Sequence, residues 1–510
     1  MSPPACLLSC VIALSLACPA AFAATGLAHG EVSQSRPAAP LAWRGAAYRN
    51  LRSSEMTYDT MPAERLLQLQ TRNVARGMKA PQIGIGRRAG IESREARLPR
   101  LQWMGDSRGN AVARVRIASP DAMGLRVGLD VSRLPDGVEL RFAGSARPNE
   151  IVAMVRAADA KRLPGPDGLY WTPGTDGEAQ LIELFRPAGV KAGSVMLEAP
   201  MLSHLVADSR NSFKLIDKIG ESGSCNVDVV CRINELGPTF ASVKNAVAHM
   251  RYVRTGGGTF ICTGTLLNDT APTTQIPYFH TANHCFTDNG SVAPVASQMQ
   301  SVANTLNTFW NYETTGCGNL IQTTTTQLTG GATYLYSSHL TDGMLLRLNS
   351  PAPSGAYFAG WNAKPLAASD AITGIHHPRG DSKKVSTGQT RSIGTNVTRV
   401  GWLSGTTEGG SSGSGLFSIG PGGYVLRGGL WRGDASCSNT GSLANSANWD
   451  EYSRFDVDFP NLKSWLEPEP EAVNGSRPLL RPRPANKTSS TVSQLQSLRP
   501  ASGDGHAQRR

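Results

Sequence analysis

Two long stretches of the chain alternate apolar and polar residues, which is the pattern of half-buried β-strands. The first runs from about residue 101 to 205 and includes residues 111–117 and 138–142, with Asp, Gly and Pro at the turns. The second runs from about residue 220 to 465. Its strand candidates are residues 259–262, 278–281, 344–348 and 424–427. We therefore predict an all-β fold in two parts, the first a small, mainly β sandwich.

Two short segments predict helices. Residues 63–67 and those that follow them suit one helix in the first part, and residues 460–466 suit a short apolar helix that closes the second. Between the two parts, residues 207–220 carry three basic residues and no strong periodicity, as expected of a connector exposed to proteolysis. After residue 468 the chain is Pro-rich and basic, which predicts a disordered tail.

The amino-terminal residues predict export. An apolar run over residues 6–18 precedes the sequence AFA at 21–23, which is typical of a signal-peptidase site. The run is too short for a transmembrane helix, so we expect no stable membrane insertion. Three of the nine cysteines lie in the apolar run, and the other six lie between residues 225 and 437. An even number of cysteines in an exported segment indicates disulfide bonds. We expect a secreted protein, extracellular or periplasmic, with a domain boundary near residue 220.

The length and the net charge of the chain limit the number of folded units and the kinds of binding partner. A chain of 510 residues exceeds what one hydrophobic core supports, so two or three folded units with tails are expected. The net charge of +11 is spread along the chain and forms no basic stripe flanked by aromatic residues. We attribute the charge to solubility and expect no nucleic-acid partner.

The histidine His284 stands in the sequence FHTANHC at 279–285, directly before a cysteine. Nucleophilic hydrolysis by a serine needs such a base, together with an acid that holds the tautomer of the base. A zinc site formed by His280 and His284 is excluded for two reasons. The residues between them lack the glutamate of zinc proteases, and the segment is predicted to be the end of a strand followed by a turn and not the helix that such a motif needs. We expect no metal and no cofactor.

The sequence EGGSSGSG at 408–415 supplies a candidate nucleophile. Its small residues let backbone amides turn toward a developing oxyanion and leave room for a substrate chain. Three serines compete for the role, and the pattern Gly-x-Ser-Gly-Ser indicates Ser412, with the amides of Gly410 and Ser412 as the oxyanion hole. Taken alone, the string would also suit a flexible linker.

Chain order separates two classes of serine hydrolase. The serine motif also satisfies the elbow of α/β-hydrolases, but there the histidine follows the serine, and here only His506 does so. The order His284, Asp342, Ser412 instead fits chymotrypsin-like enzymes. Asp342 precedes an apolar strand, where its carboxylate could become buried and accept the Nδ1 proton of His284, although Asp is also a common turn residue. We predict a chymotrypsin-like double β-barrel with a His-Asp-Ser triad.

Six motifs of the second part are shared with one protease family. They are residues 223–231, 262–266, 282–285, 375–380, 408–417 and 427–430. Through them the chain resembles the bacterial lysyl endopeptidases of Achromobacter and Lysobacter type, which are secreted trypsin-like serine proteases. The resemblance covers about residues 220–465 and implies protein or peptide substrates and a zymogen with a propeptide.

The resemblance also implies a set of covalent features. The implied disulfides are Cys225–Cys437, Cys231–Cys317 and Cys262–Cys285, which use all six cysteines. The expected organisation is a signal peptide at 1–23, a propeptide at 24–219, a protease domain at 220–467 and a tail at 468–510. Cleavage after Lys218 is the attractive processing site, because a lysine-specific enzyme could then process itself.

Specificity for lysine requires a carboxylate deep in the pocket that receives the substrate side chain, because a buried ammonium must be paired. Asp450 matches the family position for this role, and we expect cleavage on the carboxyl side of Lys, with Arg as the alternative. Three departures from the family lie nearby. The interval from Cys437 to Asp450 is longer than in a relative, and Trp431 stands where that relative has a pocket histidine. The segment before Trp402 is shorter, so another pocket tryptophan of the family has no clear counterpart. We interpret the tandem His376 and His377 as structural.

Two alternatives to a lysine-specific protease remain open. One keeps the triad but has a different preference for the substrate residue before the cleaved bond. The other is a catalytically silent binding protein with the protease fold, against which the intact triad argues. Whichever of these functions the protein has, we expect it to be a monomer.

Overall fold

Strands dominate the part of the chain that the computed structural model describes, which is residues 26–44, 51–74, 80–210, 221–271, 274–287 and 290–469. The elements before the connector are β1 Leu27–Ala28, β2 Glu31–Val32, β3 Ser53–Thr57, α1 Ala63–Val74, β4 Gln82–Arg88, β5 Met104–Gly105, β6 Ala111–Ala118, β7 Gly124–Asp130, β8 Glu139–Gly144, β9 Ala153–Arg156, α2 Ala157–Ala160, β10 Tyr170–Trp171, β11 Thr175–Asp176, β12 Ala179–Arg186 and β13 Glu198–Leu205. The predicted signal peptide, Lys218 and almost all of the predicted tail lie outside the described residues.

The remaining elements follow the connector and alternate between strands and three helices. They are β14 Val227–Asp228, α3 Ile233–Val243, β15 Val247–Val253, β16 Thr259–Leu267, β17 Tyr278–Ala282, α4 Ala296–Ala303, β18 Asn307–Trp310, β19 Thr326–Leu328, β20 Ala332–Ser337, β21 Gly343–Leu348, β22 Tyr357–Phe358, β23 Gly360–Asn362, β24 Ala371–His376, β25 Lys384–Ile393, β26 Val397–Ser404, β27 Gly415–Gly420, β28 Gly423–Gly433, β29 Asp450–Ser453 and α5 Phe455–Leu466. All four strand candidates of this region fall on strands.

Strands β24 to β29 close into a six-stranded antiparallel barrel. Their order is β24, β25, β26, β29, β28 and β27, and β27 pairs with β24 to complete the ring. Closure leaves no free edge between these six strands. The barrel interior and the region beneath it are filled by apolar side chains that include Val400, Trp402, Leu416 and Tyr452.

A second, half-open barrel is built from strands β15 to β21. The order is β19, β18, β15, β16, β17, β21 and β20, each pair antiparallel. Helix α4 lies beside β20, where the Gln300 side chain accepts a hydrogen bond from Tyr334 N and donates one to Ala332 O. The two barrels together confirm the predicted all-β, chymotrypsin-like double-barrel fold.

Residues 53–205 form two sheets around a shared apolar core. One sheet has the order β3, β6, β12, β8 and β9, and the other contains β7, β13 and β4. Inward side chains of both sheets, such as Ile117, Val127 and Phe142, are fully buried in this core. Strand β4 then pairs with β16 at Thr259 and Phe260, so the second sheet continues into the half-open barrel. This part of the chain is mainly β, as predicted.

The closing helix differs from its prediction. The sequence predicts it over residues 460–466, whereas α5 begins five residues earlier and contains Pro460 in its interior. A proline costs a helical hydrogen bond at that position. The additional turn is stabilised by tertiary contacts: Phe455 is buried against Trp361, and Asp458 accepts a hydrogen bond from Thr341.

Three disulfides join the six cysteines of the protease region. They are Cys225–Cys437, Cys231–Cys317 and Cys262–Cys285. These are the pairs that the family resemblance implied. The first bond spans 212 residues and the second spans 86, so both restrict large loops of the unfolded chain.

Candidate active site

The register between two strands brings His284 beside Asp342. Strand β17 ends at Ala282, which pairs with Gly343 at the start of the antiparallel strand β21. Asn283, which follows Ala282, and Asp342, which precedes Gly343, must therefore lie close together. His284 follows in a single helical turn, and its backbone N–H donates to Asp342 Oδ1 at 2.9 Å.

The backbone of Asp342 is held in an uncommon conformation. Its φ of 67° lies in the left-handed region, which Asp tolerates better than most residues. Its N–H donates to Ser338 O at 2.9 Å, and its carbonyl accepts from Asn283 N at 2.8 Å. These bonds fix the loop so that the carboxylate points at the histidine.

Ser412 comes from the other barrel, in the loop before β27. Gly413, with φ 78°, lets this loop press against the half-open barrel, since a Cβ there would lie 2.2 Å from Thr281 Oγ1. Thr263 clamps the same loop: its N–H donates to Ser412 O and its Oγ1 to Gly410 O, both at 2.8 Å. Small residues in the motif are thus required by the close approach of the two barrels.

The three predicted residues form one chain of hydrogen bonds. His284 Nδ1 lies 2.6 Å from Asp342 Oδ2, and His284 Nε2 lies 2.8 Å from Ser412 Oγ. Asp342 is 1% exposed, and burial raises the pKa of its carboxyl while the contact with His284 opposes that rise. The pairing with Asp342 favours a proton on Nδ1, which leaves Nε2 free to accept the serine proton.

The amides of Gly410 and Ser412 are available for an anion. Arg379 N–H donates to Gly409 O, and in a trans peptide the Gly410 N–H must point to the opposite side. Among the described residues neither the Gly410 nor the Ser412 amide donates to a protein acceptor. Both predicted oxyanion donors are therefore unengaged beside the Ser412 side chain.

Asp450 is fully buried where β29 pairs with β26 and β28. Its Oδ2 accepts from Trp402 Nε1 and from Thr407 Oγ1, each at 2.7 Å. Thr407 directly precedes the serine motif, so Asp450 is linked to the loop that carries Ser412. Gly433 faces it, and a Cβ there would lie 1.9 Å from Asp450 Oδ1. The region around this carboxylate therefore tolerates only glycine at 433.

Comparison with known proteins assigns the family. A lysyl endopeptidase N-terminal domain model matches residues 57–206, and a lysyl endopeptidase C-terminal domain model matches residues 219–453. A lysyl endopeptidase of Pseudomonas aeruginosa is 36% identical over 403 residues, which cover 76% of this chain and 81% of that protein. The chain belongs to the lysyl endopeptidase family. It is accordingly a serine endopeptidase that acts on peptide substrates.

Two solved bacterial proteases have a distant likeness to this lysyl endopeptidase family member. The active form of the Rv3671c protease from M. tuberculosis is 14% identical, with a TM-score of 0.28, and the match covers 44% of this chain and 82% of that one. The HtrA-type protease AlgW with a tripeptide is also 14% identical, with a TM-score of 0.30, and covers 45% and 62%. These scores are too low to support an inference about function.

Sequence reasoning missed the contacts that hold the serine loop of this family member. Ser411 Oγ lies 2.8 Å from His376 Nδ1, and His376 Nε2 lies 3.0 Å from Ser386 Oγ. Ser411 is thus engaged with a buried histidine, whereas Ser412 faces His284. The interpretation of His376 as a structural residue agrees with this contact. The adjacent histidines gave a signal of importance, but only the fold connects them to the serine motif.

Glu408 is a second residue that the sequence alone did not single out. Its carboxylate accepts from Gly223 N at 2.8 Å and Asn226 Nδ2 at 2.9 Å, and from Arg379 Nε at 2.8 Å. It therefore ties the start of the protease region to the loop before Ser412. The only feature of the local sequence that points to a role for Glu408 is its position four residues before Ser412.

The structure also places the other residues that the sequence singled out near the site. His280 lies buried on β17, and burial lowers its pKa to about 4. Cys262, His284 and Cys285 have potential ligand atoms within 4.8 Å of one another, but the two sulfurs are bonded to each other. Trp431 is half-buried under the Arg432 guanidinium, 4.3 Å from the ring centre. Within the described ranges, no helix is both long and apolar enough to span a bilayer.

Proposed function

We propose that this family member is a secreted serine endopeptidase that cleaves on the carboxyl side of lysine through the triad His284, Asp342 and Ser412. The observation that carries the proposal is the continuous hydrogen-bond chain from the buried Asp342 carboxylate through the imidazole to Ser412 Oγ. Each bond lies in the distance range in which proton transfer is practicable.

The proposed reaction begins when Ser412 Oγ attacks the substrate carbonyl and His284 Nε2 takes its proton. Asp342 then stabilises the imidazolium, which returns the proton to the leaving amine. The Gly410 and Ser412 amides stabilise the negative oxygen of the tetrahedral intermediate. Water repeats the sequence on the acyl-enzyme and regenerates Ser412.

Preference for lysine is assigned to Asp450. A lysine ammonium that leaves water gains free energy only if it meets a fixed charge and further hydrogen bonds. Asp450 offers a buried carboxylate, oriented by Trp402 and Thr407, on the strand beside the serine loop. The lysyl endopeptidase name of the relative supports the same assignment.

We further propose that the chain is made as a zymogen. The signal peptide at 1–23 directs export, and cleavage after Lys218 separates the propeptide from the protease domain. The described residues on the two sides of this connector are paired through β4 and β16. Cutting the connector therefore does not by itself separate the two parts.

The test is a set of matched peptide substrates that differ only in the residue before the cleaved bond: Lys, Arg, Glu and Phe. We expect kcat/KM to be highest for Lys, and Asp450→Asn to lower the Lys value by roughly 100- to 1000-fold, the cost of an unpaired buried charge. The Phe value should change little. Equal rates on Lys and Phe in the wild type would overturn the role of Asp450 and leave the triad intact.

A further inference from the structure

The amino-terminal segment of the propeptide, residues 26–34, lies on the protease region and not on the rest of the propeptide. Strand β1 pairs with β23, and β2 pairs with β22, more than 300 positions along the chain. Ser33 N donates to Ala356 O at 2.9 Å, and Asn268 Nδ2 donates to His29 O at 2.9 Å. We call residues 26–34 the strap.

The strap and its receiving surface fit closely. Ala28 is 4% exposed and belongs to the apolar core that includes Trp361 and Leu345. Gly360 leaves room for the strap, since a Cβ there would lie 2.3 Å from Ala28 O. Gly30 leaves room for Tyr357 in the same way, with a Cβ 2.3 Å from the Tyr357 hydroxyl. Side chains at these two glycines would prevent the pairing.

The chain then crosses to the propeptide body. Residues 35–42 have no regular structure and are mostly exposed. Trp43 Nε1 donates to Pro148 O at 2.8 Å, and Arg44 makes two hydrogen bonds of 3.0 Å to Glu139. The propeptide body therefore reaches the protease region by two separate routes. One is the strap, and the other is a broader contact that includes the β4–β16 pairing, the Gly174 N–H bond to Asn307 Oδ1 and the Asn304 Nδ2 bond to Pro164 O.

The strap lies outside both family matches, which cover residues 57–206 and 219–453. We propose that it is a β-strand ligand of the protease domain that keeps the propeptide attached after the connector is cut within residues 211–220. An extended segment that adds to a sheet edge gains main-chain hydrogen bonds, and small side chains set its register. The occupant of the β22–β23 edge is the chain's own residues 26–34.

Two linked contacts dissociate more slowly than one, because a contact that opens is held near its site by the other. A short linker between two contacts gives an effective concentration in the millimolar range, and the irregular, mostly exposed residues 35–42 are all that separates the strap from the propeptide body. We expect the strap to slow propeptide release by roughly 10- to 100-fold. The inference rests on the proposed cleavage of the precursor but not on its lysine specificity.

The test uses the full chain with Ser412→Ala, so that no self-cleavage occurs, and with a recognition site for a foreign protease placed in residues 211–220. A second recognition site for a different protease is placed in residues 35–42. After folding, the connector is cut alone or together with the second site, and propeptide release is followed by size-exclusion chromatography. Both samples fold as intact chains, so a difference between them cannot arise from misfolding.

A matched pair of substitutions gives the second measurement. Ala28→Asp places a charge in the buried strap, whereas Ala38→Asp places the same charge at an exposed position of the linker. Faster release after the double cut and with Ala28→Asp, but not with Ala38→Asp, supports the strap. Equal release rates in singly and doubly cut samples would overturn it. A dimer held by exchanged straps would overturn the assignment to the chain's own segment.

Discussion

Helix α5 carries a buried carboxyl, Asp458, next to the loop that holds Asp342. Its Oδ1 accepts from Thr341 Oγ1 at 2.8 Å and Tyr336 OH at 3.1 Å. Its Oδ2 has no hydrogen-bond partner among the described residues. Burial raises the pKa of Asp458 from 3.8 to about 7, with smaller upward contributions from Asp342 and Asp456. The neutral acid is therefore the favoured form in the folded protein up to near-neutral pH.

This pKa fixes the sign and size of a pH effect on stability. Because the folded pKa of Asp458 exceeds the unfolded one, its contribution to stability is fully present below about pH 4 and is lost as the pH rises through about 7. The difference between 3.8 and about 7 corresponds to about 4 kcal/mol. Asp458→Asn keeps an acceptor oxygen and removes the charge. Relative to the wild type, the variant should gain about 4 kcal/mol between pH 4 and pH 8.

The measurement is urea unfolding at several pH values between 4 and 8. All three proteins, the reference, Asp458→Asn and the control variant, carry Ser412→Ala, which prevents self-digestion. Asp434→Asn is the matched control, because its side chain is exposed and the same charge is lost. We expect the Asp458→Asn difference to grow with pH and the Asp434→Asn difference to stay nearly constant. A pH-independent difference for Asp458→Asn would refute the assignment of a neutral buried acid.

Three further predictions concern the site and its frame. Asp342→Asn should lower kcat on lysine substrates by roughly 10⁴-fold with the fold retained, because the His284 imidazole is no longer held in the tautomer protonated on Nδ1. A near-normal kcat would exclude Asp342 as the orienting acid. Gly433→Ala should raise KM for lysine substrates, since its Cβ meets Asp450, and an unchanged KM would contradict the proposed pocket. Replacing Cys231 and Cys317 by Ala should cost about 4 kcal/mol in urea unfolding; no change in midpoint would show that this bond does not limit stability.

Much of the fold is predictable because strand periodicity and chain order carry it. The apolar strand after Asp342 and the strand before His284 are each recognisable locally, and their pairing follows from the double-barrel topology. The serine motif is recognisable because its glycines must lie against the other barrel. Strand patterns and the serine motif can be recognised in the sequence because each consists of consecutive residues.

Contacts between distant short segments leave no such signal. Strands β1 and β2 contain two residues each, which is too few to reveal a period. The partners of Asp450, Trp402 and Thr407, lie 48 and 43 positions away and are ordinary residues in their local sequence. The early start of α5 depends on tertiary contacts of Phe455 and Asp458 that outweigh the expected effect of Pro460.

The most direct test of the proposed triad is covalent labelling by a fluorophosphonate reagent that reacts only with an activated serine. The mature protein should incorporate one label, and peptide mass spectrometry should locate it on Ser412 and not on Ser411 or Ser414. His284→Ala should abolish labelling while the disulfide-bonded fold is retained. Labelling of another serine, or no labelling of a correctly folded mature protein, would contradict the account.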